Sequence, residues 1–289
     1  MADRLSAALP PALPPKNTLP PKVGGLKGFL QSDRSNIVLP ALTFVLLLAI
    51  WEGSVVYFKV SDYIFPRIYP VLLELKAGYI DGYFWPHLAF TLRSVTIGYA
   101  IGCLLAIILG TLLSESRLFE KCLYPFIVAL QSTPKVAMAP LIIVWCGYGI
   151  LSKVVMVALI CFFPLFVNTI TGIKQADPAL VNMMRAFAAP SWVIFFRVKL
   201  FAAAGHIFAG LQISIVLALI GAVTAEFVSS STGLGWLVQA ALANFNTAQM
   251  IAAILSLIAI GLSGTMLVKM LHVRIVFWDR ASANTSAAK

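Results

Sequence analysis

Six long apolar windows limit this chain to folds that span a membrane. An α-helix needs about 20 mostly apolar residues to cross the hydrocarbon core of a bilayer, and each window supplies that length. Hydrophobic residues make up 60% of the 289 residues and charged residues 11%, whereas soluble domains carry about 25% charged residues. We therefore predict an all-α integral membrane protein with six transmembrane helices, at 37–58, 88–113, 123–145, 154–173, 207–227 and 250–271.

Lysine and arginine are distributed unevenly between the predicted loops. With the N-terminus in the cytoplasm, 15 of the 21 basic residues lie on the cytoplasmic side and four lie outside. Membrane proteins retain basic loops in the cytoplasm, so both termini are predicted to be cytoplasmic. The same bias accounts for the net charge of +10. No basic stripe is interleaved with aromatic residues, so we expect no nucleic acid as a partner. Membrane lipids are expected partners because the chain spans the bilayer.

The regions outside the windows are predicted to be two tails and several short loops. Residues 1–35 are rich in proline and read as a disordered cytoplasmic tail, without the apolar core of a cleaved signal peptide. Residues 36–275 would form the six-helix domain, and 276–289 a second cytoplasmic tail. The aromatic-rich loop at 59–86 and the loop at 229–247 each predict a short helix at the membrane interface.

The most informative polar interruption is the amphipathic segment 177–200. Asp177 followed by Pro178 is a helix-start signal, since aspartate caps a helix and proline fits its first turn. Pro190 predicts a break, and a second helix restarts near Ser191 with an aromatic stripe at Trp192, Phe195 and Phe196. This stripe would either fill a groove on a partner protein or lie on lipid; spacing alone leaves both open.

The segment 177–200 resembles the cytoplasmic coupling loop of ATP-binding-cassette (ABC) importer permeases. Asn182-Met183-Met184 occupies the place of that family's Glu-Ala-Ala motif, Ala188 that of its glycine, and Val198-Lys199-Leu200-Phe201 that of its ending. Other features are similar to the nitrate/sulfonate/taurine branch, in order along about residues 45–275. They are Trp51-Glu52, Trp85-Pro86-His87-Leu88, Arg93, Gly98, Gly102, Ala139-Pro140-Leu141, Trp145-Cys146-Gly147, Phe162-Phe163-Pro164, Val167-Asn168-Thr169, Gly172, Asp177-Pro178, Glu226 and Gly233-Leu234-Gly235.

The resemblance implies a permease of the bacterial inner membrane that works with other subunits. Its expected partners are two ATPase subunits, which bind the ATP, a second permease copy (a homodimer) and an extracytoplasmic solute-binding protein. The expected cargo is a small polar or anionic organic solute of the nitrate, sulfonate, taurine or pyrimidine-precursor class. The residues expected to contact the ATPase are Met183, Met184, Arg185, Phe187, Ala188, Trp192 and Phe195.

Three charged residues are candidates for the translocation path or its gate. Lys135 lies inside the third window, where a charge costs a few kcal/mol on insertion scales. It would therefore line the solute path, or else reach the interface or a helix C-terminus. Glu226 would form part of the outer gate, pair with Arg93, or remain an interfacial carboxylate. Glu52 has the same ambiguity, and His206 is expected to contact lipid headgroups.

Catalysis has no support in the sequence. No G-x-x-x-x-G-K-[ST] phosphate-binding loop, G-x-S-x-G elbow or H-E-x-x-H helix is present, so we expect a transport subunit with no cofactor and no metal. The four cysteines are widely spaced and lie in or beside apolar segments, which favours inert thiols.

An ion-coupled secondary transporter is the alternative to an ABC importer permease. It would need several buried ionisable residues, whereas only Lys135 lies deep in a window; a membrane enzyme or scaffold ranks last.

Overall fold

The computed structural model describes residues 35–278, without the side chains of residues 35–37, 117, 120, 123, 124 and 128. The predicted tail at 1–35 and the last eleven residues of the predicted C-terminal tail therefore lie outside the described residues, apart from Ser35. All regular structure in the described part is helical. In chain order the helices are α1 (Ser35–Tyr57), α2 (Ile68–Ile80), α3 (Phe84–Glu115), α4 (Arg117–Ser132), α5 (Ala139–Cys146), α6 (Ile150–Lys174), α7 (Pro178–Ala186), α8 (Ser191–Ile194), α9 (Leu200–Ser229), α10 (Leu234–Ala243) and α11 (Thr247–Ile275).

The chain divides into two compact units. The first ends at Tyr57, and α1 is its described part. The second begins at Phe58 and contains all the other helices. Five helical stretches of the described residues are long and apolar enough to cross a membrane, which confirms the all-helical membrane fold; they are Val38–Tyr57, Phe84–Glu115, Ile150–Lys174, Ser191–Ser229 and Thr247–Ile275.

The third predicted window is not one straight helix. Its two helical pieces, Pro125–Ser132 and Lys135–Cys146, meet at a bend of 86°. The described residues 35–278 contain a sixth span only if these two pieces are counted as one. Thr133 is extended, with φ −68° and ψ 134°. Pro134 favours this geometry, because a proline disfavours helical geometry at the residue before it. A short 3-10 turn, Lys135–Met138, then leads into α5.

Glycines allow the three central helices to approach each other closely. Helix α6 packs against both α3 and α9. A Cβ atom added at Gly98 would lie 2.6 Å from the Cβ of Val157, and one added at Gly102 would lie 2.5 Å from the Sγ of Cys161. Small residues permit such backbone contact, which is a main source of helix association within a bilayer. The core of the second unit therefore depends on α6 and its glycine-lined neighbours.

Both loop helices predicted from the sequence are present, as α2 and α10. Helix α10 packs against α9, α11 and α3, and it buries Leu234, Leu237, Val238 and Ala241. It is thus held by protein along one face, a contact that the expectation of an interfacial helix did not include.

Polar contacts hold α2 to the helices beside it. The Tyr83 hydroxyl donates a hydrogen bond to Glu74 (3.0 Å), and the Asn246 amide donates to the other Glu74 oxygen (3.1 Å). Burial, with the hydrogen bond to Glu74, raises the pKa of Tyr83 to about 12. The phenol therefore stays protonated at neutral pH and remains a hydrogen-bond donor, which fixes the junction between α2 and α3.

Candidate coupling segment and buried polar cluster

The coupling segment, residues 177–200, begins where the sequence predicted. The Asp177 side chain accepts a hydrogen bond from the backbone N–H of Ala179 (2.8 Å), and α7 starts at Pro178. The chain then turns at Ala188, whose φ is +54°. A left-handed conformation is unfavourable for alanine, and Ala188 occupies the place where the permease family carries glycine. The helix restarts at Ser191 after an extended Pro190.

The second half of the coupling segment is not a separate helix. Helix α8 continues through a π-helical turn, Phe195–Lys199, directly into α9. The stretch Ser191–Ser229 therefore forms one span of 39 residues, roughly 58 Å at about 1.5 Å per residue. Sequence reasoning predicted a short surface helix because it could not see this continuity. The second half of the coupling segment is therefore part of the same helical span as α9.

The predicted ATPase contacts divide into an exposed set and a supporting set. Exposed side chains include Phe187 (77%), Trp192 (67%) and Met183 (48%). Met184 and Phe195 are half-buried: Met184 packs on the cluster of Ala176, Val181 and Ile194, and Phe195 on the main core. The exposed set, which we call the coupling surface, consists of Met183, Arg185, Phe187, Ala188 and Trp192.

Two polar contacts hold the base of the coupling segment against the helix bundle. Lys199 forms an ion pair with Glu115 at the end of α3, with a distance of 2.6 Å from Nζ to Oε1. Nε2 of His206 lies 2.7 Å from Oε1 of Gln175. His206, which was expected to face lipid headgroups, therefore has a protein partner. The first contact ties the segment to α3, and the second ties the start of α9 to the end of α6, on either side of the segment.

At the opposite end of α9, Glu226 lies fully buried. Its Oε1 accepts a hydrogen bond from the Thr91 hydroxyl, and its Oε2 accepts one from the backbone N–H of Gly235, each 2.7 Å long. The pairing with Arg93 considered above is wrong: these contacts supply the partners of Glu226, while the Arg93 side chain is exposed. A buried carboxylate needs such donors because water does not reach it.

Lys153 also lies fully buried at this end, in the first turn of α6. Its ammonium donates to the Tyr148 carbonyl (2.9 Å), to the Ser229 hydroxyl (2.9 Å) and to the Ser229 carbonyl at the end of α9. It also interacts electrostatically with Glu226. The sequence prediction placed Lys153 in an outside loop, so that assignment is wrong: α6 begins at Ile150.

The Gly233-Leu234-Gly235 turn closes over Glu226. Gly233 has φ +117°, and a Cβ atom there would lie 2.4 Å from the Glu226 carboxyl carbon. Its N–H donates to Nδ1 of His87 (3.1 Å), and the N–H of Leu234 donates to the Thr91 hydroxyl (2.9 Å). Only glycine fits this backbone and this close approach. We call Thr91, Lys153, Glu226, Ser229 and this turn the buried polar cluster.

Lys135 lies in the bend after α4. Its ammonium donates to the Gln131 carbonyl (3.0 Å) and lies 4.7 Å from the centre of the Phe163 ring. The carbonyl contact corresponds to the helix C-terminus alternative considered above. The Lys135 side chain is half-buried, and its role in lining the solute path stays a prediction. Lys135, Glu226 and Arg93 are therefore not brought together into one site.

Sequence reasoning missed Lys153, Thr91 and the contact role of His87. The sequence around Lys153 gave little sign that it is buried, because a lysine near the end of an apolar window is usually assigned to a loop. The usable signal was that Lys153 follows the Gly147–Gly149 break by only a few residues, so the helix start could lie before it. Its partner Ser229 lies 76 positions away.

The chain matches known proteins over most of its length. The family model described as "Binding-protein-dependent transport system inner membrane component" matches residues 98–276. The formylaminopyrimidine transport permease protein ThiX of Halalkalibacterium halodurans is 30% identical over 83% of this chain and 96% of its own length. The riboflavin transport system permease protein RibX of Chloroflexus aurantiacus is 32% identical over 92% and 97%. A putative aliphatic sulfonates transport permease protein, SsuC of Bacillus subtilis, is 28% identical over 89% of each chain.

These matches agree with the helical spans and with the resemblance that the sequence motifs carry. The family model covers more than half of the chain. The implied assembly includes an ATPase and a binding protein as partners, and this chain is a multi-pass inner membrane component that is not itself catalytic. The chain belongs to the binding-protein-dependent transport system inner membrane component family, the permeases of ABC transporters.

Proposed function

We propose that this permease forms the translocation path of an importer for a small polar or anionic organic solute. The observation that carries the proposal is that one continuous helix joins the coupling surface to the buried polar cluster. At the start of Ser191–Ser229 lies the coupling surface with its exposed apolar side chains. At its end lies the buried polar cluster, which joins α3, α6, α9 and the turn before α10. Movement at one end therefore acts on packing at the other.

The proposed solute belongs to the nitrate, sulfonate, taurine or pyrimidine-precursor class. Relatives named for formylaminopyrimidine and aliphatic sulfonates cover most of this chain. Riboflavin, named for another relative, extends the range of related cargo to a larger heterocycle. Uptake assays with one labelled member of each group would identify the cargo. Transport of none of them, with transport of an inorganic cation or a peptide instead, would contradict the assignment.

The proposed assembly contains two copies of this permease, two ATPase subunits and one solute-binding protein. Residues 36–275 would form the transmembrane domain of each copy, with both tails and the coupling segment in the cytoplasm. The basic residues favour this orientation, since Arg185, Arg197 and Lys199 lie in or beside the coupling segment. The binding protein would then dock at the end that carries the buried polar cluster.

Glu226, Lys135 and Arg93 are proposed to act at different places along the path. Glu226 would hold the outer gate through the Gly233-Leu234-Gly235 turn, since its carboxylate binds that turn. Lys135 would attract anionic solute near the bend between α4 and α5. Arg93 is exposed on α3 and would act through a contact with the second copy or with solute. An ion-coupled carrier is disfavoured by the family assignment, although Lys153 and Glu226 are buried ionisable groups of the kind that this alternative would need.

Phe187→Asp and Trp192→Asp should separate the permease from its ATPase. Each places a charge at the centre of an exposed apolar surface, where desolvating it on docking is unfavourable. We expect ATPase co-purification to be lost and solute uptake to fall by a factor of roughly ten or more. The measurement is co-purification from detergent, with ATP-dependent uptake in proteoliposomes.

Leu118→Asp is the matched control, because Leu118 is equally exposed (72%) but lies in the first turn of α4, outside the coupling segment. It should change neither ATPase co-purification nor uptake. Retention of ATPase and uptake in both coupling variants would contradict the proposed docking site. Uptake that persists after ATP depletion, with the membrane potential clamped, would contradict the importer itself.

Lys135→Met should reduce uptake of an anionic solute by roughly tenfold, since one charge-assisted contact is lost. ATPase binding should remain unchanged because the contacts of Lys135, with Gln131 and Phe163, lie outside the coupling segment. Lys121→Met is the control, since Lys121 is an exposed lysine of the preceding helix α4. Initial uptake rates in proteoliposomes at equal permease content provide the measurement. A wild-type rate in Lys135→Met would leave this lysine with only its local contacts, to the Gln131 carbonyl and the Phe163 ring.

A further inference from the structure

Two adjoining cavities lie at the end of the bundle that carries the coupling segment. The larger, of about 700 Å³, is lined by both polar and apolar side chains. The smaller, of about 330 Å³, is lined only by apolar residues. Phe201 and Trp278 line both cavities, and their rings lie 4.8 Å apart between centroids. A polar chamber and an apolar chamber thus share an aromatic boundary.

The polar cavity combines one fixed cation with one fixed anion. Arg197 comes from the π-helical turn and Asp177 from the start of α7. His206, bonded to Gln175, and His272 complete its titratable lining. The fixed charges of the lining therefore cancel, so the cavity matches a headgroup that carries both signs better than one that carries a net charge.

The apolar cavity lies between three membrane-spanning helices. Its walls come from α3, α9 and the end of α11; they are Ile107, Leu200, Ala204, Ile207, Phe208 and Ile275, with Phe201 and Trp278 at the rim. Phe201 is half exposed (51%). Aromatic residues at such a boundary are typical of the zone where headgroups meet acyl chains. The cavity therefore suits a hydrocarbon chain that enters from the bilayer.

We propose that the two cavities together bind one phospholipid with a primary-amine zwitterionic headgroup, of the phosphatidylethanolamine type. The phosphate binds the Arg197 guanidinium, which is suited to phosphate oxygens. The ammonium binds Asp177, whose carboxylate keeps a lone pair beyond its cap on Ala179. An acyl chain fills the apolar cavity. A choline headgroup lacks N–H donors for the carboxylate, and a phosphatidylglycerol headgroup leaves Asp177 beside a net negative charge.

The position of this lipid gives it a role in coupling. Asp177 and Leu180 of the coupling segment, Arg197 and Val198 of the π-helical turn and His272 of α11 all line the polar cavity. A bound headgroup would hold these three parts together while the segment receives force from its ATPase. The functional consequence rests on the proposed function, but the binding itself does not. Lipid binding is therefore the readout.

The test uses the purified full-length transporter in nanodiscs that contain equal amounts of phosphatidylethanolamine, phosphatidylcholine and phosphatidylglycerol. Co-purifying lipid is extracted after mild detergent exchange and quantified by mass spectrometry. We expect phosphatidylethanolamine to be enriched in the wild type. Arg197→Gln and Ala204→Phe should each reduce its retention roughly tenfold, through loss of a charge-assisted contact and through filling of the apolar cavity.

Asp177→Asn tests the headgroup directly, because asparagine caps a helix as well as aspartate does and α7 should remain folded. This variant should shift the preference from phosphatidylethanolamine towards phosphatidylglycerol. Lys269→Gln is the control: it removes an exposed cation from the same end of α11 without lining the cavity. Equal retention of all three lipids in the wild type, a preference for phosphatidylglycerol, or equal loss in Lys269→Gln and Arg197→Gln would overturn the proposal.

Discussion

Replacing Gly102 with alanine should destabilise the permease, although the same change is favourable in most helices. The added Cβ would lie 2.5 Å from the Cys161 Sγ and 2.7 Å from the Ala158 carbonyl oxygen. Because one neighbour is backbone, α3 and α6 must separate along their length. Overpacking of this kind costs about 1–3 kcal/mol, and Gly102→Leu should prevent accumulation of folded protein altogether. The measurement is the thermal midpoint of the detergent-purified transporter, together with its amount in the membrane.

Gly261→Ala is the matched control for this prediction. Its added Cβ would meet one neighbour, the Cδ2 of Leu219 at 3.2 Å, which is the flexible end of a side chain. We expect no loss of stability there, and a gain of up to about 1 kcal/mol from helix propensity. Equal midpoints for Gly102→Ala and Gly261→Ala would show that α3 and α6 do not pack through this glycine.

Removing the Lys153 ammonium should destabilise the permease more than Gly102→Ala does. In Lys153→Met, the carbonyls of Tyr148 and Ser229 lose their donor, and Glu226 loses the positive charge near it. Each buried acceptor that is left without its donor costs about 1–3 kcal/mol. We expect a markedly lower thermal midpoint and a loss of solute uptake. Lys76→Met, at an exposed lysine on α2, should change neither quantity.

The double variant Lys153→Met/Glu226→Gln distinguishes an electrostatic pair from two independent contacts. Glutamine can still accept the hydrogen bond from the Gly235 N–H, while its amide donates to the Thr91 hydroxyl. With both charges removed, the loss of stability should be smaller than the sum of the single losses. Additive losses would mean that Lys153 acts only as a donor to carbonyls. If stability recovers while uptake does not, Glu226 has a role in transport beyond folding.

Local signals determined a large part of this fold. Asp177 and Pro178 start α7 and Pro190 interrupts the coupling segment as predicted, because capping and the loss of an N–H act within a few residues. The apolar windows correctly located the long helices, since the length needed to cross a bilayer is a property of each segment alone. Pro134 likewise marked an interruption in the third window, but the size of the bend there, 86°, is known only from the structure.

The sequence by itself therefore determined the class of protein, the position of most spans and the start and break of the coupling segment. Only the tertiary structure decided that Lys153 and Glu226 lie buried, and that Met184 and Phe195 support the coupling surface rather than form it. The physical reason is distance along the chain. Burial of a charge requires donors and acceptors from segments such as 87–91 and 229–235, and only packing of α3, α6 and α9 brings them together.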